Sequence, residues 1–484
     1  MHKDSSQSTK EIIKNYTVIR NENKAILFQR DGLRLHPIDY QLALQLEALI
    51  QRVDDIDDTS SLWDKINEIT LLLGSLNIDI PKETKGIKEF EENKALNKLL
   101  SSMPQVHYLH KMAINVSNAC NLRCTYCYAN QGVFNTPEEF LMSAEDIELS
   151  VRRFAEKFDY IENVQFMGGE PSLNPIALEK TVHVFRALVD EGKLKEMPRH
   201  FGMVSNGVNF TQKFHDVVKE HKMGITFSLD GPKEVHDAVR KQPGGQGSYD
   251  KVRENIKRIK DLTGQYSFEA TFSKQHINCG MSLIDLCQWF FDEFGTRILH
   301  APIMHSTPGS SSEPYALSFE DELEEMCAVT NWGLENLLNG QFLMHSFTSR
   351  ILESFQTKRR NMRICMAGSG LLTVSTKGDV FPCFMLTDQD PFYMGSIKKD
   401  DFLGVRAAAV LKVLDQFDLL NHPECQKCWV QPLCFGCKGG DWLTEKSLDK
   451  KPAGCAVMRG IVATFVLKLY DVLVELNKRK KSSK

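Results

Sequence analysis

Three cysteines stand at i, i+4 and i+7 in Cys120-Asn121-Leu122-Arg123-Cys124-Thr125-Tyr126-Cys127. Three thiolates bunched in one loop can hold three corners of a cubane iron–sulfur cluster, leaving the fourth iron without a protein ligand. Such an open iron is a place where a substrate or cofactor can coordinate. A zinc knuckle draws on the same residue type but needs a fourth ligand close by. Here the next cysteine is Cys279 and the next histidine His183.

A second group lies late in the chain: Cys365, Cys383, then Cys425-x2-Cys428-x5-Cys434-x2-Cys437, then Cys455. Paired Cys-x2-Cys units serve zinc ribbons as well as iron clusters, although seven thiols are an odd number for zinc sites of four. Cys279, Cys287 and Cys327 complete the thirteen cysteines and read as packing thiols.

The elements that must position the first triad are short apolar strands alternating with helices over 106–310. Strands are expected at 112–116, 164–167, 201–205, 224–229, 268–272 and 297–302, and helices at 144–158, 175–190, 212–222, 249–262 and 282–294. Six strands alternating with helices imply an α/β fold with a parallel sheet and right-handed crossovers. The sheet is either open and doubly wound or curved into part of a barrel. Reactive groups gather at the carboxyl ends of such strands, and the triad follows the first of them. Gly168-Gly169-Glu170-Pro171 follows the second, Ser205-Asn206-Gly207 the third and Asp230-Gly231-Pro232 the fourth. Paired glycines let a ligand approach the backbone, and a carboxylate beside them can receive an ammonium.

These motifs together resemble the radical S-adenosylmethionine (SAM) superfamily. The resemblance implies a partial (β/α)6 TIM-like barrel with a [4Fe–4S] cluster on Cys120, Cys124 and Cys127. SAM would chelate the open iron, with Tyr126 near the adenine, Gly168, Gly169, Glu170 and Pro171 at the methionine amino group, and Ser205 and Asn206 as further contacts. Phe227–Gly231 and His236–Arg240 resemble peptide-modifying members, which adds Asp230 and Arg240 as site candidates. The implied chemistry is one-electron cleavage of the sulfonium and hydrogen abstraction by a 5′-deoxyadenosyl radical. The late cysteines resemble the SPASM extension, which binds two auxiliary [4Fe–4S] clusters. Residue by residue, Cys425, Cys428, Cys434 and Cys455 would hold one, and Cys365, Cys383 and Cys437 the other. The total would be three clusters.

Two departures stand out. The spacing before Cys437 is one residue shorter than usual, and no fourth cysteine precedes Cys365 for its cluster, the nearest being Cys327. Sulfatase-maturing relatives also carry an acidic base directly after the second SPASM cysteine. That position is Phe384 here, with Asp379 four residues before Cys383.

Ahead of the barrel, 1–105 reads as a small α+β, winged-helix-like module. Strands are expected at 16–20 and 25–29, helices at 40–53 and 62–76, and a charged linker or solvated helix at 85–97. Residues 311–360 form a helical bridge, and 361–484 a cysteine-rich cluster domain with a terminal helix. The 484 residues carry a net charge of −4 with one short basic run at 478–481, which gives little electrostatic support for nucleic-acid binding. No signal peptide or membrane span is expected, and clustered cysteines then fit a cytoplasmic protein. The expected function is radical modification of a peptide, with an oxidative thioether or carbon–carbon cross-link as the favoured product. The front module would hold the leader of a precursor peptide, and a flavodoxin or ferredoxin would donate electrons. A sulfatase-type (formylglycine) maturase or another SPASM radical SAM enzyme, including one acting on a small molecule, and, from another class, a zinc-ribbon interaction protein are the alternatives.

Overall fold

The computed structural model describes residues 13–52, 68, 69, 71, 73, 107–136, 138–306, 309–448 and 454–482. At the front, β1 (Tyr16–Arg20), β2 (Ala25–Gln29) and β3 (Arg34–Ile38) form an antiparallel sheet in that order, followed by α1 (Tyr40–Arg52). The strand β3 was not expected, because Arg34, His36 and Pro37 interrupt its apolar pattern. The expected helix at 62–76 falls mostly outside the described residues, and the segment 85–97 does so entirely.

The central unit runs β4 (Tyr108–Ser117), α2 (Ala144–Ala155), β5 (Tyr160–Gly168), α3 (Pro175–Asp190), β6 (His200–Ser205), α4 (Gln212–Glu220), β7 (Gly224–Ser228), α5 (Tyr249–Leu262), β8 (Tyr266–Glu269), α6 (Leu283–Phe294) and β9 (Ile298–Leu299). Local chemistry sets the helix starts. Ser143, Asn174, Thr211 and Ser282 each accept a backbone N–H of the first turn of the helix they precede. Gly295 ends α6 in the left-handed region that favours glycine.

The helical stretch α7 (Phe319–Leu338) and α8 (Ser346–Thr357) follows, then β10 (Leu371–Val374), β11 (Val380–Phe381), α9 (Lys438–Glu445) and α10 (Gly454–Ser482). The sheet order is β8-β7-β6-β5-β4-β10-β11, parallel throughout except for the β10–β11 pair. The mixed α/β architecture with a parallel barrel-like sheet is as expected, but its composition differs in two ways. β10, from the cysteine-rich segment, pairs with β4 and covers that edge of the sheet. The sixth strand shrinks to β9, tied to β8 only by bridges at Glu269↔His300 and Phe272↔Ile303.

Strand alternation sorts the sheet into two faces. Met112, Ile114, Val164, Phe166, Met203, Ile225, Phe227, Phe268, Leu372 and Val374 share one face and join the main apolar core beneath the helices. On the other face, register places Lys111, Ala113, Asn115, Gln165, Gly202, Thr226, Ser267, Glu269 and Thr373. This inner face is polar, which a purely structural barrel interior has no reason to be.

The front sheet is not a loose appendage. Phe28 on β2 is fully buried and meets Phe355 of α8 at 6.2 Å and Trp429 at 6.1 Å between ring centroids. Phe355 in turn meets Phe465 of α10 at 5.5 Å. Arg360 pairs with Asp31 at 2.8 Å, and Lys24 donates to the Leu467 carbonyl at 3.0 Å. No helix among the described residues is long and apolar enough to cross a membrane.

Candidate active site

The triad loop begins where β4 ends, and the segment after β5 packs directly under it. Gly169 N–H donates to the Ser117 carbonyl at 2.8 Å and Glu170 N–H to the Ala119 carbonyl at 2.9 Å. A Cβ on Gly168 or Gly169 would run into these same carbonyl oxygens, and one on Gly132 would lie 2.6 Å from the Gly169 Cα. Glycine is therefore demanded here by contact between two backbone segments, where the sequence suggested room for a ligand. Glu170 is also more committed than expected. Its buried carboxylate accepts from Ser172 N–H (3.0 Å), Ser205 Oγ (2.7 Å) and Asn206 N–H (2.8 Å), which leaves about one of its four acceptor positions free. It binds the ends of β5 and β6 together. Burial raises its pKa, and these donors pull it back.

Amide donors converge on the triad thiols. Leu122 N–H lies 3.5 Å from Cys120 Sγ, Asn206 Nδ2 lies 3.7 Å from it, and Gln131 N–H lies 3.3 Å from Cys127 Sγ. Cys124 pairs in a two-residue ribbon with Arg240. Arg240 makes a two-pronged, buried ion pair with Asp230 at 2.9 and 3.1 Å, and Tyr126 donates its hydroxyl to the same carboxylate. The Arg240 guanidinium lies 5.4 Å from the centre of the Tyr126 ring. Tyr126, Asp230 and Arg240 thus form one buried knot beside Cys124. Arg240 holds the Asp230 carboxyl below its ordinary range against the pull of burial.

The late cysteines lie in two groups. Cys434 shares its electrostatic surroundings with Cys428, Cys455 and Cys425, and these four line one cavity with Ile364, Phe417 and Met458. Cys383 is surrounded by Cys437 and Cys365. Asp441 on α9 lies within electrostatic reach of both Cys434 and Cys437, and burial pushes its carboxyl up to about 6. Cys327 is elsewhere, accepting from Thr464 Oγ1 at 3.2 Å between α7 and α10. It is a packing thiol and no fourth ligand. Cys287 is buried on α6, and Cys279 is exposed, 3.2 Å from Gln275 Nε2.

These sets can be tested against zinc. Four thiolates around a zinc ion lie about 3.8 Å apart, from Zn–S bonds of about 2.3 Å. Among the described residues, no three cysteine sulfurs lie mutually within 4.8 Å. None of these sets is therefore closed around a single ion in this structure. Burial pushes the Cys120, Cys124 and Cys383 thiols up to about 12, so only a metal would hold them as thiolates near neutral pH.

The triad loop is tied to the cysteine-rich segment by side-chain hydrogen bonds. Thr376 Oγ1 donates to Asn118 Oδ1 at 2.7 Å and Asn135 Nδ2 to the Asp388 carbonyl at 2.7 Å, locking the triad loop to the cysteine-rich segment. Tyr128, directly after Cys127, is 43% exposed, yet its hydroxyl interacts electrostatically with Cys127, Glu269, Cys383 and Cys437. Below it, the barrel interior carries buried oxygens without partners: Asn115 Oδ1, Gln165 Oε1 and Thr373 Oγ1. Gln165 and Thr373 flank Ala113 in register, and Gly202 follows Gln165, so small residues separate the polar ones. Unpaired buried polar atoms set beside small side chains are what a bound polar ligand would satisfy. The motif reading passed over Tyr128, Glu269 and these interior residues. Their signal was polar alternation in strands that a buried barrel should keep apolar.

Residues 114–268 match the radical SAM superfamily, and residues 365–429 match the SPASM iron–sulfur cluster-binding domain. The chain carries a radical SAM domain and a SPASM domain. It is 26% identical over 331 residues to the cysteine-type anaerobic sulfatase-maturating enzyme of Clostridium novyi, covering 66% of this chain and 86% of that one. It is 21% identical over 340 residues to the radical SAM cyclopropyl synthase TigE of Paramaledivibacter caminithermalis, covering 67% of each. Its fold is similar to that of anSMEcpe with bound AdoMet, at TM-score 0.60 and 21% identity over 75% of this chain and 98% of that one. It is also similar to Streptococcus suis SuiB bound to the precursor peptide SuiA, at TM-score 0.51 and 14% identity over 92% and 99%.

Proposed function

We propose that this enzyme is a cytoplasmic peptide maturase that installs an oxidative cross-link, thioether or carbon–carbon, in a ribosomally made precursor. The observation that carries this reading is the position of Tyr128, whose hydroxyl lies within electrostatic reach of Cys127 on one side and of Cys383 and Cys437 on the other. A substrate lying there would meet the radical-generating and the auxiliary cysteines at once. In this reading Cys120, Cys124 and Cys127 hold the SAM-binding [4Fe–4S] cluster, and the two late sets hold auxiliary [4Fe–4S] clusters, three in all. When bound, the cluster and SAM supply the hydrogen-abstracting radical common to this superfamily. The chain's own residues do the rest. Glu170, Ser205 and Asn206 fix the strand ends beneath SAM, and the Tyr126–Asp230–Arg240 knot braces Cys124. Asn115, Gln165 and Thr373 receive polar groups of the substrate.

The front sheet would dock the leader. Among the described residues, no strand pairs with the outer edge of β3, and an open edge is a template for an added peptide strand. The complex of SuiB with its precursor peptide supports a role of this kind for an overlapping fold. A small reduced flavodoxin or ferredoxin would donate the electrons. Sulfatase-type maturation is the second reading, favoured by the relative from Clostridium novyi and opposed by Phe384 in place of an acidic base.

The test is anaerobic turnover with SAM, reductant and the short peptide encoded beside the gene, followed by mass spectrometry. Loss of two hydrogens with a new intrapeptide linkage is expected. Turnover of a sulfatase-derived cysteine peptide to formylglycine, with the neighbouring peptide untouched, would replace this reading by the second.

A further inference from the structure

The helices α3 and α4 cover the outside of the sheet, and between them they carry a ligand set unrelated to the cysteines. His183 lies on α3, Glu220 is the last residue of α4, and His221 follows it. One ring nitrogen from each histidine and one Glu220 oxygen all lie within 4.8 Å of one another. The three differ in freedom. His183 and Glu220 are exposed, whereas the His221 side chain is only 2% exposed.

His221 Nε2 is buried with no hydrogen-bond partner, 4.0 Å from Glu220 Oε1. That separation is too long for a hydrogen bond. The two imidazole rings meet nearly perpendicular, 5.5 Å between centroids, an edge-to-face contact that holds the two side chains side by side. A polar nitrogen buried without a partner carries a free-energy cost that folds seldom leave uncompensated.

We propose that His183, Glu220 and His221 form a binding site for a divalent zinc ion that bridges α3 and α4. Two imidazoles and a carboxylate are a common donor set for this ion, with water completing the tetrahedron. His221 is the fixed ligand. His183 and Glu220 are free to rotate inward by the ångström or so that closes the set to bonding distance. The surrounding charges are mixed. Arg186 lies within electrostatic reach, while Glu179 is neutralised by Lys213 at 2.7 Å. The local negative charge needed to hold the cation therefore comes from Glu220.

The position fixes the role. α4 ends here and the chain turns into the amino end of β7, away from the strand ends that carry the cysteine triad. A metal at the amino-terminal edge of such a barrel bears on stability, not chemistry. The zinc acts as a clasp between two neighbouring helices.

The experiment uses the full-length, cluster-reconstituted enzyme equilibrated with micromolar zinc sulfate, desalted, and assayed for zinc and iron by mass spectrometry of the elements. The expected result is about one zinc per chain with iron unchanged, and a melting midpoint a few degrees higher with zinc than without. In His183→Ala and Glu220→Gln, both at exposed positions, zinc should fall several-fold. The midpoint should lose its zinc response, while iron content and peptide-free SAM cleavage stay at wild-type levels. Equal zinc in His183→Ala, zinc uptake only at the expense of iron, or no uptake by the wild type would each overturn the site.

Discussion

Asp418 offers a sharp test of how the auxiliary cysteines are held. Its side chain and that of Lys438 are each 3% exposed, with Lys438 Nζ 3.5 Å from Asp418 Oδ2. Asp418 Oδ1 accepts the Ile364 N–H at 2.7 Å, and Oδ2 also pairs with Arg363 at 3.0 Å. Arg363 and Ile364 lead into Cys365, while Lys438 directly follows Cys437. One carboxylate therefore fastens two of the three cysteines of a set. Asp418→Asn keeps the acceptor for Ile364 but turns an amide donor toward two cations. Arg363 is half-exposed, so its share is about 0–1 kcal/mol. Lys438 becomes a buried charge without a counter-ion, which costs about 3–5 kcal/mol. Its remaining hydrogen bond to the Leu414 carbonyl at 2.8 Å places it toward the lower end.

The sum, about 3–4 kcal/mol, is a large part of a typical 5–15 kcal/mol stability. It falls on the segment carrying Cys365, Cys383 and Cys437. Reconstituted Asp418→Asn should therefore lose about four irons per chain and melt earlier, with peptide-free SAM cleavage retained. Asp418→Asn/Lys438→Met should recover most of both losses, since replacing a buried pair by apolar groups is close to neutral. Unchanged iron and midpoint in the single variant, or a double variant no better than the single, would refute the reasoning.

Three further outcomes are expected. Gly169→Ala forces apart the triad loop and the β5 end, where a Cβ would press on the Ala119 carbonyl and lie 3.0 Å from the Gly132 Cα. SAM cleavage should drop about 100-fold with auxiliary iron intact, and wild-type cleavage would contradict the packing argument. Gln165→Leu and Thr373→Val remove buried polar atoms that lack partners. The melting midpoint should hold or rise by about 1 kcal/mol equivalent while peptide turnover falls; unimpaired turnover would show that the interior does not touch substrate. Burial pushes His345 down to about 4, where it bonds the Ala301 carbonyl at 3.1 Å. Since the unfolded chain takes up this proton near pH 6.5 and the folded chain only near 4, stability is lost as pH falls through that window. The loss between pH 7.5 and 5.5 is about 1.4 kcal/mol, and His345→Gln should flatten the midpoint-against-pH curve by that amount.

The barrel helices were legible almost to the residue. α3 and α5 begin and end where expected, because each carries a clear 3.6-residue period. The strands were legible as to place but came out longer at β4 and β5, since Lys111 and Asn163, opposite each other in register, broke the apolar pattern used to delimit them. The addition of β10 to the sheet had no local signal. Leu371-Leu372-Thr373-Val374 reads equally well as a strand of the late segment, and only pairing with residues some 260 positions earlier reveals its partner. At the site, the grouping of the late cysteines came from a family resemblance and not from their spacing, and Cys437 lies beside Cys383 although its spacing is short. Side chains that act through the fold were not legible. Nothing near Asp418 announces that it meets Lys438, and Tyr128 gains its place only when the cysteine-rich segment is tied to the triad loop.

The pairing of β10 with β4 also bears on how the protein is made. The cysteine triad emerges from the ribosome some 240 residues before the strand that covers the β4 edge. At about 5–20 residues per second, that edge stays open for on the order of 10–50 s. Such a window exposes an unpaired strand beside three reactive thiols. It also leaves the loop accessible to iron–sulfur delivery before the late segment folds down over it. The same hydrogen bonds that fix the distance between the two cysteine sets therefore impose an order of assembly: barrel first, closing strand second. The front sheet is sealed last, when α10 arrives against Phe28.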